Sequence, residues 1–187
     1  VPVYGDITTN DGARSVAEEV LKADQGIDVL INNYGAGDAG DWSSATDDWI
    51  RTYERNTLSV VRMVQAFVPG MRDCGWGRIV NIGTIGSTRP NRQMPHYYAA
   101  KGALANLTVS LTKELGGTGI TANLVSPGLI RTPEVEASFL QRARDAGWGD
   151  SFNAAEGKIA DAFFPNPLQR VATREEIADV VLFLASQ

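Results

Sequence analysis

Two tyrosines and one lysine stand at spacings that place side chains on a shared helical face. Within the segment PHYYAAKG (95–102), Tyr97 precedes Lys101 by four residues and Tyr98 precedes it by three. An ammonium group about 4 Å from a phenol, at an effective dielectric constant of about 20, favours the phenolate by roughly 4 kcal/mol and lowers the pKa of the phenol from about 10 to about 7. The spacing therefore predicts a tyrosine that exchanges a proton with a carbonyl or alcohol oxygen at neutral pH, and an ordinary exposed pair is the alternative.

The composition limits the classes of partner. The chain has 187 residues, 43% of them hydrophobic and 21% charged, which is typical of one soluble domain with a hydrophobic core. Its formal net charge of -5 argues against nucleic acid, whose binders present basic faces. Cys74 and His96 are each the single residue of their type, so we expect no disulfide, no zinc site and a cytoplasmic location. Neither a signal peptide nor a long apolar run is seen, and we expect no membrane contact.

Short β-branched runs alternate with helical patterns, which predicts an α/β fold with a doubly wound parallel sheet in three α/β/α layers. Residues 131–167 have weaker helical patterns and are interpreted as an excursion from the sheet. Strands are expected over 1–4, 27–33, 77–83 and 120–126. Helices are expected over 11–24, from a cap at 46–48 to between 69 and 75, over 97–115, 134–146 and 153–163, and over 173–186 with a capping box of Thr173 and Glu176.

The segment INNYGAGDAG (31–40) contains the letters GxGxxG of a dinucleotide fingerprint. That fingerprint works because a helix begins at once after the glycines and directs its free N–H groups at the pyrophosphate. Here residues 41–45 separate Gly40 from the expected helix cap, and no acidic residue ends the next strand. We therefore interpret Gly37 and Gly40 as parts of a glycine-rich loop and not as a phosphate cradle.

Taken in order along the chain, the motifs resemble those of the short-chain dehydrogenase/reductase family, and in particular its 3-oxoacyl-carrier-protein reductase-like members. The resemblance implies one Rossmann-like domain over 1–187, in which 131–167 form a substrate lid. It also implies an oxidoreductase that uses NAD or NADP to interconvert a ketone and a secondary alcohol. The motifs are Asp6, NNYG (32–35), Asn56, VNIGT (80–84), YYAAK (97–101), NLVSPGLIRT (123–132) and REEIADVVLFLAS (174–186).

The resemblance assigns roles to individual residues. Tyr97 is implied as the catalytic acid/base, with Lys101 binding the nicotinamide ribose and Asn56 holding a water in a proton relay; without the other motifs, Asn56 would be a polar residue on a solvated helix face. Thr84 stands where the family has serine, and it keeps a hydroxyl for the substrate oxygen while its methyl narrows the pocket. Ser87 is a second candidate for that role. The implied cofactor contacts are Asp6, Asn32, Asn33, Gly35, Tyr97, Lys101, Pro127, Gly128, Ile130 and Thr132.

Besides Thr84, the chain departs from the family pattern at Tyr34, which replaces an alanine. Tyr98 would be a packing or pocket residue. The family's first two strands, its phosphate-binding glycines and its last strand have no counterpart here, so we expect a sheet incomplete at both ends, without the region that chooses between NAD and NADP. A metal ion is not expected.

Two classes of function remain open. The first is an oxidoreductase whose substrates include 3-oxoacyl groups on a carrier protein, steroids, sugars or small ketones. The second is a non-catalytic binding or assembly module, or an inactive fragment, on the same fold. In either case the family pattern implies a homotetramer or homodimer that packs through helices 46–73 and 97–115.

Overall fold

The computed structural model describes residues 1–23 and 26–187. Helices lie before and between its three strands, and three more helices follow the last strand. The strands are slightly shorter than expected, and the predicted end of the first helix at residue 24 lies outside the described residues. A π-helical turn, Glu54–Leu58, separates α2 from α3. The elements are α1 (Asn10–Ala23), β1 (Val29–Asn32), α2 (Thr46–Tyr53), α3 (Ser59–Cys74), β2 (Gly77–Ile82), α4 (Pro95–Glu114), β3 (Ile120–Val125), α5 (Pro133–Asp145), α6 (Phe152–Phe163) and α7 (Arg174–Ala185).

The three strands form one parallel sheet in the order β1-β2-β3. Leu30, Ile79 and Ala122 are register partners across it. Because register partners on neighbouring strands point to the same face of a sheet, these side chains share one face and bury it against α1, α3 and the end of α4. The prediction of a Rossmann-like parallel sheet flanked by helices is confirmed. The buried residues of this core are Ala13, Ala17, Leu30, Met63, Phe67, Val68, Met71, Ile79, Leu115, Ile120 and Ala122.

The chain divides into two compact units, Val1–Ser126 with Phe183–Gln187 and Pro127–Leu182. In the second unit, α5 and α6 begin at side-chain caps, since the hydroxyls of Thr132 and Ser151 accept hydrogen bonds from backbone N–H groups, each at 3.3 Å. The helices expected over 134–146 and 153–163 are confirmed. A role of residues 131–167 as a substrate lid stays a prediction. The core of the second unit consists of Phe139, Ala143, Phe152, Ala155, Ile159 and Val171.

Two sequence-based expectations about local structure are wrong. Residues 1–4 form no strand, and Val1 and Tyr4 are exposed, with relative accessibilities of 108% and 84%. A β-branched run becomes a strand only beside a partner for its N–H and C=O groups, and no described strand pairs with these residues. Thr46 does not cap α2, because it is the first helical residue and Ala45 holds the cap position without a side-chain hydrogen bond.

Other helix ends agree with the expectations. Helix α3 ends at Cys74 and is followed by Gly75, whose φ of 70° suits a residue without Cβ. Before α7, Glu176 accepts from the backbone N–H of Thr173 at 2.9 Å and donates its own N–H to the Thr173 hydroxyl at 3.2 Å. These two reciprocal bonds are the predicted capping box. Along residues 1–23 and 26–187, no helix combines the length and apolarity that a bilayer crossing requires.

Candidate active site

Side chains from two helices meet at the carboxyl ends of β1 and β2. Lys101, on α4, donates a hydrogen bond from Nζ to the carbonyl oxygen of Ile82, the last residue of β2, at 2.7 Å. A Cβ atom at Gly35, which follows β1, would lie 3.1 Å from that Nζ and 2.6 Å from Oδ1 of Asn56. The structure therefore brings Gly35, Asn56 and Lys101 together, as the motif series predicts.

The side chain of Lys101 is buried, and its burial changes the pKa of its ammonium group. Its residue is only 4% exposed, and burial lowers the pKa of its ammonium group from 10.5 to about 8. Loss of water disfavours the charged form, and the single carbonyl partner compensates only in part. Lys101 therefore titrates near the pH range in which proteins usually work.

Tyr97 has a raised pKa, and the sequence-based expectation of a lowered one is wrong. Burial raises the pKa of the phenol, the neighbouring Tyr98 adds to the increase, and a hydrogen bond with the Thr84 side chain acts in the opposite direction. Lys101 does not lower this pKa, because its ammonium group is directed at the carbonyl of Ile82 and is itself disfavoured by burial. At neutral pH the Tyr97 hydroxyl is protonated and available as a proton donor.

The ring of Tyr98 is held by packing against Tyr97 and Gly86. The two tyrosine ring centroids lie 5.5 Å apart. The Tyr98 ring covers Gly86 so closely that a Cβ atom there would lie 2.0 Å from Cε1, and the Tyr98 hydroxyl accepts a hydrogen bond from Nδ2 of Asn91 at 3.0 Å. These contacts agree with the packing role expected for Tyr98.

Thr84 and Ser87 lie in the short 3-10 turn that follows β2. The Thr84 hydroxyl accepts from the N–H of Gly86 at 3.2 Å, and the Thr84 side chain lowers the pKa of Tyr97. The Ser87 hydroxyl donates to the backbone carbonyl of Thr84 at 2.7 Å. Thr84 is therefore the hydroxyl residue beside Tyr97, whereas Ser87 supports the turn.

Asn56 is fully buried in the π-helical turn, at 0% exposure, so the alternative of a solvated helix face is wrong. Its Oδ1 accepts from the N–H of Ala36 at 3.1 Å. Its Nδ2 donates to the carbonyl oxygens of Ala36 and Thr52, each at 3.0 Å. The amide thus joins the helix to the loop after β1, and its part in a water relay stays a prediction.

Asn32 belongs to a buried polar network that sequence reasoning missed in part. Its Nδ2 donates to Oδ1 of Asn81 at 2.9 Å, Nδ2 of Asn81 donates to the Thr108 hydroxyl at 2.9 Å, and that hydroxyl donates to the carbonyl of Leu104 at 2.8 Å. The network ties β1 and β2 to α4. The sequence feature that could have identified Asn81 is an amide side chain within VNIGT, a segment whose pattern predicts a buried strand. Asn33 is exposed just beyond the end of β1.

A cavity of about 460 Å³ lies beside Asp6 and Tyr34. Hydrogen bonds from the hydroxyl and the backbone N–H of Thr8, at 2.6 and 2.9 Å, hold the pKa of the Asp6 carboxyl below its usual value. A carboxylate beside apolar walls fits a flat aromatic group that carries N–H donors. The lining residues are Val3, Gly5, Asp6, Ile7, Val16 and Tyr34.

The remaining predicted cofactor residues belong to the second unit. Ile130 forms a parallel bridge with Ala172, and Thr132 caps α5. Pro127 is buried and Gly128 is exposed. Their contact with a cofactor stays a prediction.

Helix α2 begins at Thr46, well after Gly40, so no helix N-terminus follows the glycines of the GxGxxG letters. The interpretation of this segment as a loop is confirmed. Among residues 1–23 and 26–187, no three His, Cys, Asp or Glu side chains are placed to hold a metal ion.

Comparisons with known proteins give the same family throughout. A family model described as enoyl-(acyl carrier protein) reductase matches residues 1–187. A 7alpha-hydroxysteroid dehydrogenase from Clostridium sardiniense is 33% identical, with 98% of this chain and 66% of the relative covered. A 3-oxoacyl-[acyl-carrier-protein] reductase from Thermotoga maritima is 33% identical, with 99% and 69% covered.

The crystal structure of L-sorbose reductase from Gluconobacter frateurii, complexed with NADPH and L-sorbose, is also similar. It is 31% identical and superimposes with a TM-score of 0.86, over 97% of this chain and 68% of the reductase. The chain thus spans about two thirds of the length of these relatives. With a family model matched along its full length and relatives named as dehydrogenases and reductases, the chain belongs to the short-chain dehydrogenase/reductase family of oxidoreductases.

Proposed function

We propose that this protein interconverts a ketone and a secondary alcohol with NAD or NADP, and that Tyr97 is its general acid/base. The observation that carries the proposal is the position of the Thr84 side chain beside the Tyr97 phenol, whose pKa it lowers. A substrate oxygen that replaces this contact would lie within reach of both hydroxyl groups. General acid catalysis requires such a donor within hydrogen-bond distance of the reacting oxygen.

In the reductive direction, the Thr84 hydroxyl donates a hydrogen bond to the carbonyl oxygen and Tyr97 gives its proton to the same atom. When bound, a nicotinamide cofactor supplies the hydride to the carbonyl carbon, or accepts it in the reverse direction. The raised pKa of Tyr97 supports the reductive direction, since the phenol still holds its proton at neutral pH. Asn56 and Lys101 complete the proposed catalytic set, Asn56 through a bound water and Lys101 as a partner of the nicotinamide ribose.

The residues of the first unit fit a dinucleotide. The cavity beside Asp6 and Tyr34 offers an acceptor and apolar walls to an adenine ring. Within residues 1–23 and 26–187, Lys101 donates to one acceptor, the carbonyl of Ile82, and an ammonium group has three N–H donors, which leaves two for ribose hydroxyls. In the sequence, Asp6, which lines the cavity, and Lys101 are separated by a segment that contains Asn32, Asn33 and Gly35. We assign Pro127, Gly128, Ile130 and Thr132 to the nicotinamide carboxamide.

We assign residues 131–167 as the substrate lid. Phe139 and Phe152 are buried within the second unit. The guanidinium carbon of Arg142 lies 5.1 Å from the ring centroid of Phe139, and that of Arg131 lies 4.9 Å from the ring centroid of Phe152. These aromatic side chains therefore serve mainly to hold the lid together. The named substrates of the relatives, a steroid, a carrier-linked 3-oxoacyl group and L-sorbose, span apolar and polar classes. A panel of ketones from each class is the appropriate screen.

We also propose a cytoplasmic homotetramer or homodimer that packs through helices 46–73 and 97–115. Exposed apolar side chains on these segments support the proposal, namely Ile50, Leu58 and Val109. The exposed free thiol of Cys74 suits a reducing compartment. Light scattering of the full-length protein would measure the number of subunits.

The experiment uses the full-length protein and follows NADH and NADPH oxidation with the ketone panel, for the wild type and for Tyr97→Phe. We expect turnover by the wild type, and a loss of about 100-fold or more in Tyr97→Phe with cofactor binding retained. A folded wild type that binds cofactor and reduces none of the ketones would favour the second candidate, a non-catalytic binding or assembly module. The methyl of Thr84 and the side chain of Tyr34 are the departures that favour that candidate.

A further inference from the structure

The glycine-rich loop, residues 35–40, lies against both helices that carry the proposed catalytic side chains. At its start, a Cβ atom at Gly35 would come within 2.6 Å of Asn56 Oδ1 and 3.1 Å of Lys101 Nζ. The next residue, Ala36, exchanges two backbone hydrogen bonds with the Asn56 amide, at 3.1 and 3.0 Å. Only a residue without Cβ allows the loop to lie this close to both side chains.

The rest of the loop follows the beginning of α4. A Cβ atom at Gly37 would lie 3.6 Å from Cδ1 and Cε1 of Tyr97, which is ordinary van der Waals contact. The carbonyl of Gly40 accepts a hydrogen bond from the N–H of Met94 at 2.9 Å, and a Cβ atom there would lie 2.6 Å from Nε2 of His96. Gly35 and Gly37 thus lie beside side chains of the candidate site, and Gly40 lies beside His96 near the start of α4.

One ion pair attaches the outer side of this loop to the π-helical turn. Nη1 of Arg55 donates to both carboxylate oxygens of Asp38, at 2.9 and 2.7 Å. Arg55 immediately precedes Asn56, whose amide holds Ala36 from the inner side. The loop is therefore fastened to the same helical turn twice, by a buried amide and by a partly exposed, charge-assisted pair.

We propose that Asp38 and Arg55 are positioning residues for the reaction described above. Their ion pair holds the glycine-rich loop on the π-helical turn, and the loop keeps Asn56, Lys101 and Tyr97 in the geometry that proton transfer requires. This inference rests on the proposed function. Because proton transfer depends steeply on alignment, a loop that leaves the turn lowers kcat before it affects cofactor binding.

The test compares full-length Asp38→Asn and Arg55→Gln with the wild type. Arg51→Gln is the matched control, since it breaks the neighbouring pair of Arg51 with Asp48 on α2, which does not involve the loop. The first readout is hydrogen exchange of the Ala36 N–H, which donates to Asn56. We expect faster exchange in Asp38→Asn and Arg55→Gln, with the Arg51→Gln rate equal to that of the wild type.

The second readout is steady-state kinetics. An exposed pair contributes at most about 1 kcal/mol, so we expect kcat to fall about two- to fivefold in the first two variants, and the KM for the cofactor to change less than kcat. The charge-swapped double variant, Asp38→Arg with Arg55→Asp, should restore both readouts. Unchanged exchange in Asp38→Asn and Arg55→Gln, or faster exchange with unchanged kcat, would overturn the proposal. A wild type without turnover counts against the proposed function, and the exchange measurement then decides the attachment of the loop separately.

Discussion

Lys101 donates a hydrogen bond from its buried ammonium group to the carbonyl oxygen of Ile82, at the carboxyl end of the central strand. The contact turns the charge of Lys101 toward the sheet, while the side chain of Thr84 lowers the pKa of Tyr97, one helical turn earlier. The two side chains share a helical face but have different partners. The pKa of Lys101 and the pKa of Tyr97 are therefore set by different neighbours.

The buried ammonium group of Lys101 makes stability rise with pH. Its pKa is about 8 in the folded protein and 10.5 as the ordinary value, so the unfolded chain binds more protons between these two pH values. The cost of burying the charge is fully present below about pH 8 and is lost by about pH 10.5, a gain of up to about 3 kcal/mol in the free energy of unfolding. Urea unfolding of the wild type and Lys101→Met at about pH 7 and about pH 9.5 would measure it, and equal pH dependence in both would contradict it.

The hydroxyl of Thr84 should matter more than its methyl. Thr84→Val keeps the shape and removes the donor, and we expect kcat to fall about 100-fold, as when a donor to a reacting oxygen is lost. The variant also loses the hydroxyl group that lowers the pKa of Tyr97, so the pH profile of alcohol oxidation should move to higher pH. Thr84→Ser is the control and should keep both activity and profile. A Thr84→Val enzyme as active as Thr84→Ser would exclude this role.

The buried network of Asn32, Asn81 and Thr108 should be sensitive to the loss of one partner. Thr108→Val leaves the Nδ2 group of Asn81 without its acceptor, which costs about 1–3 kcal/mol in a buried site. Thr108→Ser keeps the hydroxyl and provides the comparison. Urea denaturation would measure the difference, and a Thr108→Val variant as stable as Thr108→Ser would show that Asn81 finds another acceptor.

Two glycine-to-alanine variants should change stability in opposite directions. At Gly35 the added methyl would lie 2.6 Å from Asn56 Oδ1, so the loop must move, and overpacking of this kind costs about 1–3 kcal/mol. At Gly70, inside α3, a Cβ atom meets nothing within 4 Å, and alanine favours a helix by about 1 kcal/mol. Thermal unfolding should therefore show a lower midpoint for Gly35→Ala and a higher one for Gly70→Ala. A higher midpoint for Gly35→Ala would mean that the loop yields without cost.

Most of the fold could be predicted because hydrophobic periodicity reports which faces are buried. The strands at β1, β2 and β3 and the capping box before α7 follow from local patterns. Residues 1–4 show where this reasoning stops, since a strand also depends on a neighbour that its own sequence does not contain. Within the helix that begins at residue 46, a period of 3.6 residues does not reveal one extra residue, and the π-helical turn was missed.

For the candidate site, spacing predicted that Tyr97 and Lys101 share a helical face. It did not predict the direction of the Lys101 ammonium group, which depends on the carbonyl of Ile82 in a distant strand. The sign of the pKa shift at Tyr97 was wrong mainly because the spacing does not reveal that the phenol is buried, and burial raises its pKa. Burial of Asn56 was equally hidden, since the amide is satisfied by Ala36, twenty residues earlier.

The π-helical turn at Glu54–Leu58 has a consequence for insertions and deletions in this helix. One residue more than an α-helix needs is accommodated there, so deleting a single residue from the turn would restore a regular helix. Every side chain before the deletion would then rotate by about 100° relative to α3, given 3.6 residues per turn. Among related chains, a one-residue gap within this turn and after the counterpart of Asn56 would therefore identify proteins in which that residue faces away from its loop.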